Sequence, residues 1–324
     1  MPTLGEGALT YLSAQNDQAQ DEAVGAFRPY IRSLVDQDRP TLEIGPAFSP
    51  IIPKRLSFNV KIVDHADRAT LVEKYRDHVP DVSVIEEVDV VWHGEPLSTL
   101  LPAHQHVAIV ASHVIEHAPD FIGFLKECST LLSEGGAIYL IVPDRRFCFD
   151  AFVPLTDPAK VIADHRLRRT VHSFESFYRV GSQVRADGEL SWSQKPIGQI
   201  DFITGVPQGW LRDAEAMSNS PTYIDNHENS FTPSSFVLLI EELRFVGLID
   251  LGIEMVCRAR GSEFVVILSR WAGLLPLEPA AFAKLKMSLH LNMLCEDAER
   301  IALMQPILAA ALQGVSGEGY SGNP

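Results

Sequence analysis

The sequence predicts an α/β protein built on a doubly wound, mostly parallel sheet. Three observations carry that reading. Short apolar, β-branched runs alternate with amphipathic stretches through the first half of the chain. The first such run, Thr41-Leu42-Glu43-Ile44, ends in an acid and enters a loop of small residues, Gly45-Pro46-Ala47-Phe48-Ser49-Pro50. About twenty residues further on, a second apolar run ends in Asp64. A nucleotide-like ligand lying across the carboxyl ends of parallel strands needs this arrangement. The glycine lets backbone approach the ligand, and the acid is placed to take both hydroxyls of a ribose.

Taken in order, residues 21–37 read as a helix that packs on the sheet. Residues 42–44, 60–63, 82–85, 106–111 and 137–142 read as five strands. Between the last two, Phe121, Phe124, Leu125, Cys128, Leu131 and Leu132 fall on one helical face, with Asp120 as the cap and Gly135-Gly136 as the exit. The pattern breaks over 147–230, a stretch rich in aromatics, Asp, His and Arg, which reads as an insertion over the carboxyl edge of the sheet and a substrate lid. It resumes at Thr232-Pro233-Ser234-Ser235, a helix start with Thr232 as N-cap and Pro233 in the first turn. That helix ends at Gly247, and strands over 248–256 and 263–269 follow. The segments expected are therefore 1–146, 147–230, 231–270, C-terminal helices over 271–313, and a small polar tail, 314–324, expected to be disordered. Met287, Leu291, Leu294, Ile301, Met304 and Leu308 recur at helical spacing, and Pro306 should break that last helix. Their stripe either packs on its own domain or joins two copies in a homodimer.

Composition bounds the function. A chain of 324 residues, 46% apolar, buries a full core, and its net charge of −15 disfavours nucleic acid and anionic membrane as partners. Cys128, Cys148, Cys257 and Cys295 are widely spaced with no CxxC pair, so neither a zinc knuckle nor a disulfide framework is expected, and no metal site is assigned. The polar, acidic first thirty residues do not read as a signal peptide, and no apolar run reaches about 18 residues, so a cytoplasmic protein is expected.

Glu43-Ile44-Gly45, Asp64, the run Ser112-His113-Val114-Ile115-Glu116-His117-Ala118-Pro119-Asp120, and Leu131-Leu132-Ser133-Glu134-Gly135-Gly136 together resemble the class I S-adenosylmethionine-dependent methyltransferases. The likeness covers about 40–147 and 230–270, the latter resembling the closing helix and antiparallel hairpin of that superfamily. Within it, Val63-Asp64-His65 and the run from Ile141 to Asp150 resemble a bacterial branch acting on small molecules. The resemblance implies a seven-stranded Rossmann-like methyltransferase sheet with S-adenosyl-L-methionine as cofactor. The family loop usually reads E/D-x-G-x-G-x-G; here Ala47 and Ser49 replace the second and third glycines, and Pro46 and Pro50 stiffen the turn.

By that resemblance Glu43, Gly45, Pro46, Ala47 and Ser49 form the cofactor loop, with Ser49 able to donate to the cofactor carboxylate. Asp64, with His65, takes the ribose. Asp89, with Val90, reads either as the acid on the adenine amino group or as a turn former. Ser112 and His113 follow the fourth strand, where the transferred methyl would lie, and His117 braces their loop. Arg145 and Arg146 follow the fifth strand and either bind an anionic substrate group or pair with Asp144 or Asp150. His172 and Tyr178 in the insertion are further substrate-side candidates. His227 is the first choice for a base, because Asp225 and Glu228 flank it, and His113 is the second. An oxygen nucleophile needs such a base, which leans the reading toward O-methylation of a sugar or secondary metabolite; an N- or S-methyltransferase remains the alternative. A dinucleotide-dependent oxidoreductase lacks its G-x-G-x-x-G here, and a scaffold without cofactor has no need of Glu43, Gly45 and Asp64.

Overall fold

The computed structural model describes residues 26–204, 209–221, 223–270 and 278–315. Five strands run parallel: β1 (Thr41–Ile44), β2 (Val60–Asp64), β3 (Val90–Val91), β4 (His106–Ser112) and β5 (Leu132–Pro143). Two more, β8 (Leu251–Val256) and β9 (Glu263–Arg270), pair antiparallel to each other, and β9 pairs antiparallel to β5. The order is β3-β2-β1-β4-β5-β9-β8, a seven-stranded, mostly parallel sheet in an α/β Rossmann-like arrangement, as expected. A separate hairpin, β6 (Val184–Ala186) with β7 (Ile200–Phe202), lies in the insertion.

Alternation along each strand builds two cores, because successive side chains leave opposite faces. On β4, Ile109 and Ala111 join one core and Ala108 and Val110 the other; on β9, Phe264, Val266 and Leu268 separate in the same way from Val265 and Ile267. A short helix, α2 (Arg68–Tyr75), follows β2, and the first core is closed by α3 (Leu97–Leu100), α4 (Phe121–Leu131) and α8 (Pro233–Phe245). The second is closed by α1 (Phe27–Leu34) through Phe27 and Ile31, with Ile51, Ile52 and Phe58 from the segment after β1. The expected helix starts are present: Asp120 accepts the Gly123 N–H at 2.7 Å, and Thr232 and Ser235 form a reciprocal capping box with Pro233 in the first turn.

Several expectations are corrected. Residues 82–85 do not form a strand. Val82–Val84 is a 3-10 turn capped by Asp81, and the short third strand is Val90–Val91, since only there does the backbone pair with β2. The C-terminal stretch is, as expected, helical and interrupted at Pro306: α9 (Pro279–Leu303) and α10 (Gln305–Val315) break just before that residue, which cannot donate to a continuous helix. Gly314 and Val315 are helical rather than tail, while 316–324 lie outside the described residues, as does the beginning of the first expected helix. The insertion also holds α5 (Pro158–Leu167), α6 (Phe174–Arg179) and α7 (Trp210–Ser218). It is no loose cover: Phe147 and Val161 belong to the main core. No helix among the described residues is long and apolar enough to cross a membrane.

Candidate active site at the carboxyl edge of the sheet

From β1 the chain winds outward through β2 and β3, and from β4 it winds the other way through β5. The crevice outside the carboxyl ends of β1 and β4 is therefore the switch point of the sheet, where open α/β folds take their ligands. The loops after these two strands meet there. Gly45 adopts φ 64° and Ala47 φ 44°. A Cβ on Gly45 would lie 2.8 Å from Val114 Cγ2, so glycine is required both by conformation and by the close approach of the β4 loop.

The loop is held from beneath. Glu43 is buried and accepts the N–H groups of Ile51 at 2.5 Å and Ile52 at 3.1 Å. Burial outweighs those bonds and the nearby Arg28, and pushes its carboxyl up to about 7. Arg28 on α1 donates to the Ser49 carbonyl at 2.7 Å and to Ser112 Oγ at 3.2 Å, tying the two loops together. Asp64 stands at the end of β2 as expected, almost wholly buried. Its Oδ2 accepts the Ala47 N–H at 2.9 Å, and its Oδ1 accepts the His65 N–H at 2.8 Å and lies 2.7 Å from His65 Nδ1. Asp64 thus organises the loop as well as standing at the edge.

Past β4, His113 adopts φ 54°, the left-handed region. Its Nε2 lies 2.9 Å from Glu263 Oε2 and its Nδ1 3.4 Å from Glu116 Oε1. Burial works against its imidazolium, but the two carboxylates prevail and push it up to about 10. A histidine charged at neutral pH is a poor proton acceptor, so the structure disfavours His113 as a base. Glu116 is completely buried on the 3-10 turn Ile115–His117, and His113, His117 and His227 overcome its burial and hold its carboxyl below the usual value. His117 stacks edge-on to His227 with centroids 4.6 Å apart, and Phe149 packs on the other side of His227 at 4.7 Å.

His227 itself is nearly buried, and Asp150 Oδ2 lies 2.5 Å from its Nδ1. Burial opposes its charge, but Asp150 more than compensates and raises its proton affinity. The sequence neighbours expected to orient it do not. Asp225 pairs with His117 Nδ1 at 3.0 Å. Glu228 faces away, toward Lys160 at 2.5 Å and the Ser173 N–H at 2.7 Å; these and His172 outweigh its burial and take it down to about 2.

Other candidates lie elsewhere. Asp89 sits one residue before β3, pairs with Lys54 at 2.6 Å and accepts the Ile62 N–H at 2.7 Å, so it braces the amino end of that strand. Val90 packs against the main core from β3, and Trp92 follows the carboxyl end instead. Arg145 and Arg146 are buried in internal pairs, Arg145 with Asp297 at 2.7 Å and Arg146 with Asp144 at 2.6 Å and with Glu299. His172 is buried against Tyr223 and Phe177, and Tyr178 is exposed on α6, stacked with Phe174. Sequence reasoning missed Arg28, Asp150 and the role of Glu116. Only Glu116 carried a signal, its place in the His113–His117 run.

No family model matches the chain, and no curated protein matches it in sequence. Several solved structures are similar to it. One is described as a putative zinc-dependent alcohol dehydrogenase from Rhodobacter sphaeroides, at 12% identity and a TM-score of 0.40, covering 75% of this chain and 88% of that one. The CcbJ methyltransferase from Streptomyces caelestis follows at 12% and 0.39, covering 76% and 88%. An S-adenosylmethionine-dependent methyltransferase from Mesorhizobium loti stands at 13% and 0.38, covering 76% and 99%.

Proposed function

We propose that the protein transfers a methyl group from S-adenosylmethionine to a hydroxyl of a small molecule. The observation that supports this most is the meeting, at one switch point, of a glycine loop after β1 with a buried carboxylate–imidazole cluster after β4. The residues present fit the cofactor. Gly45 turns the chain at φ 64° where β1 ends, Asp64 stands at the end of the neighbouring strand, and Ser49 and Ser112 flank Arg28 at the loop. Gly45, Pro46, Ala47 and Ser49 would line the cofactor, with Asp64 and His65 on the ribose side.

Bound there, S-adenosylmethionine supplies a sulfonium methyl that an oxygen lone pair takes while the C–S pair returns to sulfur. This chain's own residues do the rest. The two loops hold donor and acceptor together, which is the larger part of the acceleration. His227, oriented by Asp150, takes the hydroxyl proton on the ring nitrogen that Asp150 leaves free. The 147–230 segment supplies Asp150, Phe149 and His227 itself, so it forms the acceptor side. Isothermal titration with S-adenosylmethionine and with NAD separates this reading from an oxidoreductase. The Asp64→Ala variant is expected to bind S-adenosylmethionine more weakly by about 1.5–3 kcal/mol, because polar groups lose their partner. Unchanged affinity would remove the cofactor from this edge.

A homodimer through α9 and α10 belongs to the same proposal. Of the stripe, Met304 is buried in a small cluster with Val184 and Ile197, while Met287, Leu291, Leu294, Ile301 and Leu308 are exposed and available to a second copy. Light scattering at micromolar concentration is expected to give twice the 35.8 kDa chain mass, and a monomer would end the dimer reading.

A further inference from the structure

Glu116 is an unusual group to bury. It is wholly inaccessible, and neither carboxylate oxygen accepts a hydrogen bond. Its nearest imidazole nitrogens are His113 Nδ1 at 3.4 Å and His117 Nε2 at 3.9 Å. A buried carboxylate without hydrogen bonds calls for a positive partner at short range. Glu116, His117 and His227 each present one ligand atom, and these atoms lie within 4.8 Å of one another. One ion at about 2.1 Å from each donor needs them at most about 4.2 Å apart, so small side-chain movements close the set.

The surroundings support the same conclusion independently. A histidine that binds metal through one ring nitrogen regularly presents the other to a carboxylate, which fixes its orientation. Asp150 lies 2.5 Å from His227 Nδ1 and Asp225 lies 3.0 Å from His117 Nδ1, leaving Nε2 on both rings for a cation. Two imidazoles and one carboxylate suit first-row transition ions, whereas magnesium and calcium favour all-oxygen sites.

We propose that Glu116, His117 and His227 hold one divalent transition ion such as Mn2+, Co2+ or Zn2+, whose remaining coordination positions receive the acceptor hydroxyl. A metal lowers the pKa of an oxygen it binds. With the ion bound, the acceptor's proton is released to water and His227 acts as a ligand; in the metal-free chain it is the base described above. This deepens the O-methylation reading and revises the expectation of a metal-free site. Its test needs neither cofactor nor acceptor, so failure of the metal site and failure of methyl transfer are told apart.

The full chain, stripped with EDTA and dialysed, is titrated with CoCl2 while visible absorption and heat are followed. One equivalent of Co2+ and a d–d band are expected. Glu116→Gln is expected to abolish the band. Asp225→Asn, at the exposed rim of the cluster, is expected to weaken binding by about 10-fold or more through loss of the outer carboxylate. No uptake by the wild-type chain at micromolar Co2+ overturns the proposal, as does wild-type affinity in folded Glu116→Gln. Should that variant fail to fold, unchanged affinity in Asp225→Asn overturns it instead.

Discussion

Replacing His227 with alanine is expected to lower kcat by about 100-fold or more while leaving S-adenosylmethionine affinity nearly unchanged. The ring is held between Phe149 and His117 and fixed by Asp150, so its removal takes away a positioned group on the proposed acceptor side and touches none of the loop after β1. The loss follows whether the ring takes the proton or holds a cation; EDTA sensitivity of the wild type separates the two. His113→Ala is expected to act more mildly, since that ring is already protonated between Glu116 and Glu263. If both variants turn over normally, proximity alone drives transfer, and a nitrogen or sulfur acceptor becomes the better reading.

Glu43 governs the second large effect, in stability. Its carboxyl is pushed up to about 7 from an ordinary 4.5, first by burial, with Glu86 adding to it, and against the Ile51 and Ile52 N–H groups and Arg28. Because the folded value is the higher one, the protonated form contributes stability that is complete below about 4.5 and lost as pH rises through about 7. A shift of that size corresponds to about 3 kcal/mol. Glu43→Gln cannot titrate. Urea unfolding between pH 4.5 and 8 is therefore expected to show the variant gaining on the wild type by about that amount, and a pH-independent difference would refute the raised carboxyl.

The fold was legible because its signals are local. Alternation marks both faces of β4 and β9, Asp120 and Thr232 mark helix starts, and Pro306 marks the break before α10. The third strand was missed because Val82-Ser83-Val84 has β-branched residues but a capping Asp81, and only pairing with β2 singles out Val90–Val91. The loop after β1 was readable for the same reason as the helices, since Gly45 and Asp64 lie close to the strands they end. The acceptor side was not. His227 meets Asp150 across 77 positions and His113 meets Glu263 across 150, and sequence proximity pointed to Asp225 and Glu228 instead. Arg145 and Arg146 likewise find partners on α9, at Asp297 and Glu299.

The Glu116 carbonyl accepts the N–H groups of both Glu228, at 2.8 Å, and Asn229, at 2.9 Å, and Arg145 donates its N–H to the Phe231 carbonyl at 2.9 Å. The insertion therefore leaves the sheet and rejoins it at one place, its two ends clasped together. For a segment closed in this way, the entropic cost of added length grows only logarithmically. The hairpin β6–β7 and α7 can lengthen, shorten or change sequence over evolutionary time while the residues at the clasp keep their register. The surface these elements present is thereby free to diversify among descendants of this chain while the clasp stays fixed.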